Sequence, residues 1–253
     1  MSGHSKWSSI KHQKGVTDAR RGQLFTKLTR EIIIATHQGG NNPESNFRLR
    51  LAIQKARDSN MPLENIERAI KRGSGETEGA SLVEMVLEGY GPGGAAILVQ
   101  ALSDNRNRTV QDIRNIFSRH GGSLGTNGCV AWLFESEGLI TVETGNSNTE
   151  ELALYAIDAG AEDVKVEDNY VEIYTKPEEL EAVRGALETK KIPIASAGLS
   201  MVPKTMVELE EKTALQTLKL LDKLEELDEV QHVSSNADFP DSTLEKYQSQ
   251  VSG

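Results

Sequence analysis

Apolar residues recur every four positions between Thr17 and His37: Leu24, Leu28 and Ile32, with Phe25 and Ala35 beside them. This period predicts an amphipathic helix, capped by Thr17 or Asp18 and ended by Gly39-Gly40. A second helix is predicted from Pro43, with Asn42 as its cap, presenting Leu49, Ala52, Ile53 and Ala56 on one side. A third begins around Pro62, shows Leu63, Ile66 and Ile70, and stops at Gly73. Three short helices make a small bundle. The polar stretch GSGETEGAS (73–81) then marks the clearest domain boundary.

Beyond it, strand-like runs alternate with helical ones. SLVEMVLEGY (81–90) and AAILVQAL (95–102) read as strands joined through GPGG. Arg106 to His120 reads as a helix with Val110, Ile113, Ile116 and Phe117 on one face, and CVAWLFE (129–135) as a further strand. Residues 138–203 have the order β-α-β-β-α-β, the ferredoxin-like unit. The fragments on either side, β-β-α-β before and a helix (207–227) plus strand (229–235) after, cannot cover their own sheets. They are therefore joined as one discontinuous domain. The expected fold class is multidomain α+β: a basic arm plus three-helix bundle (1–75), a discontinuous α/β domain (80–135 and 205–240), an inserted ferredoxin-like domain (136–204) and a polar tail (241–253).

Composition changes this picture in one respect. The 253 residues carry a net charge of −10, which taken whole argues against a polyanionic partner. Residues 1–75, however, hold 14 Lys and Arg against 6 Asp and Glu, a net of +8. That leaves 14 and 32 for the other 178 residues, a net of −18. Such a split points to a polyanion-binding end on an acidic body, with protein partners expected on the acidic domains. The single cysteine, Cys129, excludes an intramolecular disulfide and suits a reducing cytoplasm. No apolar run approaches the roughly 18–20 residues of a membrane span, and the basic N-terminus has no apolar core of a secretory signal.

Candidate chemistry concentrates in the arm GHSKWSSIKHQKG. His4, Lys6, Lys11, His12 and Lys14 surround Trp7, with no carboxylate before Asp18. Lysines neutralise phosphates, and an aromatic among them stacks on a base or packs on sugar. The same residues also fit an arm pinned onto the bundle by Trp7 and Ile10. On the first helix, Arg20, Lys27 and Arg30 lie opposite the apolar stripe, with Arg21 nearer to it. In SDNRNRT (103–109), Asp104 or Asn105 caps a helix, while Arg106 and Arg108 offer forked donors to phosphate or pair with neighbouring acids. GYGPGG (89–94) lacks the ending of a phosphate-binding loop and connects two strands, so it reads as a tight turn. The five histidines show no metal-ligand spacing, Cys129 sits in an apolar pattern, and no catalytic set assembles.

At GHSKW…IKH…K…DARRGQLFTKLTREI the chain strongly resembles the YebC family of bacterial proteins, which includes the mitochondrial translational activator of cytochrome oxidase subunit I. The resemblance continues through NMPLENIERAIKRG (60–73), EGYGPGG (88–94), SDNRNRT (103–109), GGSLG (121–125), GCVAWLFE (128–135), GAEDV (160–164) and LEELDEVQHVSSN (224–236), and covers residues 2–240. It implies an N-terminal helical domain plus two α/β domains, one inserted in the other. His4, Lys6, Trp7, Lys11 and Lys14 match the family's pattern; Gly15 stands where alanine is common, and Ser234 or Ser235 stands near a usual tyrosine. Members resemble DNA-binding transcriptional regulators, while the organellar branch and some bacterial relatives act in translation at the ribosome. The expectation is a cytoplasmic, monomeric, non-enzymatic regulator without cofactor or metal, binding DNA or, in the alternative, ribosomal RNA.

Overall fold

The computed structural model describes residues 18–76, 81–144, 148–166 and 170–251. Helix α1 (Asp18–Gly39) buries Leu28 and Ile32 against α2 (Phe47–Asp58) and α3 (Leu63–Gly73). Leu49, Ala52, Ile53, Ala56, Ile66 and Ala69 complete this core, as the helical period requires. The start of α2 differs from the expected Pro43. Residues 43–45 form turns, and Asn46 is the cap, its side chain accepting from Leu49 N at 3.0 Å. The same amide donates to the Ala35 and Gly40 carbonyls at the end of α1. One buried Asn thus closes one helix and opens the next, a role Asn42 cannot fill from outside the bundle.

A four-stranded sheet follows, in the order β3-β1-β2-β9: β1 (Val83–Tyr90), β2 (Ala96–Ser103), β3 (Ser123–Leu124) and β9 (Val230–Ser235). All its pairings are antiparallel. Its inner face, with Met85, Leu87, Ile97 and Val99, is covered by α4 (Arg106–Arg119) and α7 (Glu211–Glu225) through Ile113, Phe117, Leu218 and Leu221. The β1–β2 turn is tight, as expected. Gly93 takes φ +73°, and a Cβ there would lie 2.7 Å from Leu209 and 2.8 Å from Thr213. The glycine therefore permits both the turn and its close approach to α7.

The second sheet, β5-β6-β4-β7, contains β4 (Phe134–Glu143), β5 (Asp163–Val166), β6 (Tyr170–Thr175) and β7 (Ile194–Pro203). Helices α5 (Thr149–Asp158) and α6 (Leu180–Thr189) cover one face with Leu152, Ala156, Leu180, Val183 and Leu187. Element order and strand order are those of a ferredoxin-like unit lying, in sequence, between two parts of the first sheet's layer. A short parallel pair, β8 (Val207–Glu208) with β10 (Ala237–Asp238), flanks α7.

Three further expectations are corrected. The helix expected over 207–227 begins only at Glu211 and ends at Glu225, and residues 207–208 form β8 instead. CVAWLFE is strand only in its last two residues: Ala131–Leu133 form one 3₁₀ turn, and the strand begins at Phe134 and runs unbroken to Glu143. Val130 and Phe134 are buried on the outer face of β2, against Ala96 and Leu98, so the apolar run reflects a packed loop leading into the strand rather than a strand's alternation. The terminal stretch is not a loose polar tail either. Helix α8 (Asp241–Val251) docks Leu244 and Tyr247 into the first sheet's core, with the Tyr247 hydroxyl donating to Asp222 on α7.

Candidate nucleic-acid interface

Of the residues that the sequence nominates, His4, Lys6, Trp7, Lys11, His12 and Lys14 lie outside the described residues, as does the side chain of Arg20. Arg21 is exposed on α1. Two turns along, α1 meets the C-terminal end of α7. Lys27 donates to the Glu225 carbonyl at 2.6 Å, and Gln23 donates to the Glu226 carbonyl. A helix C-terminus carries unsatisfied carbonyls and partial negative charge, so an ammonium there is well placed. Arg30 pairs with Glu229, just beyond that terminus, at 3.6 Å.

The SDNRNRT segment arrives at the same carboxylate. Asn105 is the cap, accepting from Arg108 N at 3.1 Å, while the buried Ser103 hydroxyl accepts from Asn105 N and from Thr109. Asp104 instead holds the Arg108 guanidinium at 3.0 Å, and Arg108 also reaches Glu229 at 3.2 Å. Arg30 and Arg108 therefore share Glu229, which sequence reasoning did not single out. Arg106 stays exposed in the first turn of α4.

The bundle docks on the acidic body through further ion pairs. Arg48 bridges Glu31 at 2.7 Å and Glu84 on β1 at 2.8 Å. Burial works against its charge, but the bonds to Glu84 and Glu31 outweigh that and hold the guanidinium above its ordinary range. The same bond from Arg48, helped by Gln38 against partial burial, holds the Glu84 carboxyl below its ordinary value. Arg50 pairs with Glu181 on α6 at 2.9 Å, and Arg184 with Asp58 at 3.5 Å. Part of the +8/−18 charge split is thus spent inside the molecule.

Between α1, α3 and the end of β2 lies an open groove of about 480 Å³. Phe25 and Leu82 supply its apolar lining, and Thr26, Thr29, Arg30, Asn65, Arg72 and Asp104 its polar lining. One terminal nitrogen of Arg30, a residue of this lining, is buried without a hydrogen-bond partner.

A second feature escaped the sequence. Glu88 on β1 is buried and accepts three backbone N–H groups, from Gly128 at 2.6 Å, Val130 at 2.7 Å and Ala131 at 2.8 Å. Burial pushes its carboxyl up, yet the three donors together bring it below the ordinary value. This holds the 125–133 loop, on which Trp132 is 68% exposed. Trp132 and Tyr90 both donate to the Cys129 carbonyl, at 3.2 and 3.0 Å. Burial and the neighbouring Glu88 push the Cys129 thiol up. Among the described residues, no three His, Cys, Asp or Glu side chains group as metal ligands, and no helix is long and apolar enough to cross a membrane.

Fold and junction together define a three-part α+β protein in which a helical bundle is clamped onto two α/β units. Models of the TACO1/YebC N-terminal domain match residues 5–76, and those of the TACO1/YebC second and third domain match residues 82–237. The chain belongs to the TACO1/YebC family. It is 63% identical over 251 residues, 99% of its own length and all of the relative's, to a "probable transcriptional regulatory protein" of Dehalococcoides mccartyi. A protein of the same description from Pelotomaculum thermopropionicum is 54% identical over 95% of this chain and all of the relative. The crystal structure of a conserved hypothetical protein from Aquifex aeolicus superposes with a TM-score of 0.86 at 51% identity, over 93% of this chain and 98% of that one.

Proposed function

We propose that this protein is a non-enzymatic, DNA-binding transcriptional regulator that holds nucleic-acid phosphates through its basic N-terminal arm and first helix. The observation that carries the reading is the concentration of 14 Lys and Arg against 6 acids in residues 1–75. The description of close relatives as transcriptional regulators supports it. Lys27, Arg30 and Arg108 act chiefly as the clasp that fixes the bundle on the body, since each has a partner across that junction or beside it. Arg21 and Arg106, both exposed, remain available to a polyanion. The acidic body confines contact to one end, because like charge repels the rest of the duplex. Phosphate contacts set affinity and register without reading bases, so modest sequence preference is expected. Crosslinking in cells followed by sequencing of both bound DNA and bound RNA tests this. Enriched genomic DNA supports the regulator; dominant ribosomal RNA replaces it with a translation factor working through the same arm.

A further inference from the structure

We propose that the groove between α1, α3 and the end of β2 is a phosphate site, built around Arg30 and Arg72, that takes one phosphate of a nucleic-acid strand held by the arm. The inference rests on the nucleic-acid reading above and gives it a second, structured contact.

Four observations support it. The Arg30 guanidinium is mostly buried, yet one of its terminal nitrogens has no hydrogen-bond partner while its other end meets Glu229 at 3.6 Å. Leaving a buried cationic donor unmade is costly, and a turn of the side chain toward the groove would offer it to an anionic oxygen in a charge-assisted bond. Asn65 and Arg72, seven residues apart on α3, fall on one face two turns apart and line the same groove. No hydrogen bond or ion pair engages either side chain among the described residues, so the amide and the second guanidinium fork are available donors. By contrast, Thr26 and Thr29 donate back to Gly22 and Phe25 carbonyls, and so shape the wall without competing for the ligand's acceptors.

The charge balance favours an anion. Asp104 lines the groove, but its carboxylate is engaged by Arg108 at 3.0 Å, and Glu229 is shared by Arg30 and Arg108. Arg30, Arg72 and Arg108 thus face two carboxylates, an excess of one positive charge that a bound phosphate oxygen offsets. Position favours a polymer over a free ion. Thr26 lies eight residues from the first residue of α1, about 12 Å along the helix at 1.5 Å per residue. The groove thus lies on the helix that follows the arm in sequence, which suits a ligand long enough to engage both. An occupied groove would also tie nucleic-acid binding to the docked bundle, because Arg30 is at once a groove donor and part of the junction with Glu229.

The test uses the full chain and two probes, sodium pyrophosphate and a fluorescein-labelled 20-base-pair DNA. Arginine Nε–H resonances are followed by NMR, with those of Arg30 and Arg72 assigned through R30K and R72Q. Both resonances are expected to shift saturably with either probe. In R72Q, which alters an exposed residue and leaves the junction intact, DNA binding at 0.15 M salt should weaken about 5–10-fold and the log–log salt slope should fall by about one unit. K204Q, an equal charge change away from the groove, should bind DNA as the unaltered chain does. If neither arginine responds to either probe while DNA still binds, or if R72Q keeps the full slope, the groove is not a phosphate site and the arm alone makes the contacts. If pyrophosphate shifts both arginines but DNA neither binds nor shifts them, the nucleic-acid ligand is wrong, and the groove serves a small phosphate compound instead.

Discussion

Lys27 on α1 donates its ammonium at 2.6 Å to the carbonyl of Glu225, the last residue of α7. This contact, 198 positions apart in sequence, fastens the basic bundle to the acidic body. Replacing Lys27 by methionine keeps most of the stem's packing but removes this donor from the Glu225 carbonyl, leaving Gln23 on Glu226. A loss of about 0.5–1.5 kcal/mol in urea unfolding is expected, with arginine at the same position recovering part of it.

Glu229 should matter more, because it answers two guanidinium groups. Glu229→Gln leaves Arg30 and Arg108 without their shared charge in a half-buried setting, and a destabilisation of about 1–3 kcal/mol follows. Pairing Glu229→Gln with Arg30→Met in a double-mutant cycle measures the link directly. Strictly additive losses would show that the two residues do not interact.

Glu88 supplies a prediction in pH. Its carboxyl is below the ordinary value in the folded chain, so the stability it contributes is fully present above the unfolded value, about 4.3, and is lost as pH falls through its lowered folded value. Glu88→Gln, which replaces one acceptor oxygen by a donor facing backbone N–H groups, should cost about 2–3 kcal/mol at pH 7. The gap between the two proteins should narrow as pH falls below about 4. The same substitution removes the charge that helps push the Cys129 thiol up. Cys129 should then react faster with a thiol reagent at pH 8, as thiolate is the reactive form.

Helix α8 is expected to be part of the folding unit. Leu244 is buried in the core of the first sheet beside Tyr247, and Leu244→Ala should destabilise by about 2–3 kcal/mol through the cavity it leaves. Chemical denaturation settles this; a neutral substitution would return the segment to the status of a dispensable tail.

The parts of the fold that sequence revealed are those with an uninterrupted period. Leu24, Leu28 and Ile32 disclosed α1 because their four-residue period survives even though the helix is buried on all sides over Ile32–Thr36, and the β-α-β-β-α-β order was visible because turns punctuate each element. Where apolar residues serve two directions at once, the period fails. Val130, in a loop, and Phe134, the first residue of β4, pack together onto the back of β2, and the run between them imitates a strand. Among the described side chains of α8, two buried apolar ones, Leu244 and Tyr247, hold it to the core, too few for a stripe. The interface was legible as charge but not as pairing. Nothing local marks Glu229 as the partner of Arg30 and Arg108, and Glu88 meets its three donors only when the loop folds 40 residues away.

The central claim, that phosphate binding resides in the basic N-terminal end, is tested most directly by the salt dependence of DNA affinity. Anisotropy of a labelled 20-base-pair duplex, titrated from 50 to about 300 mM NaCl, gives the slope of log affinity against log salt. The account predicts a steep fall for the unaltered chain and a slope lower by about one unit in each of Lys6→Gln and Lys11→Gln. Salt-independent binding, or slopes unchanged by both substitutions, would contradict it.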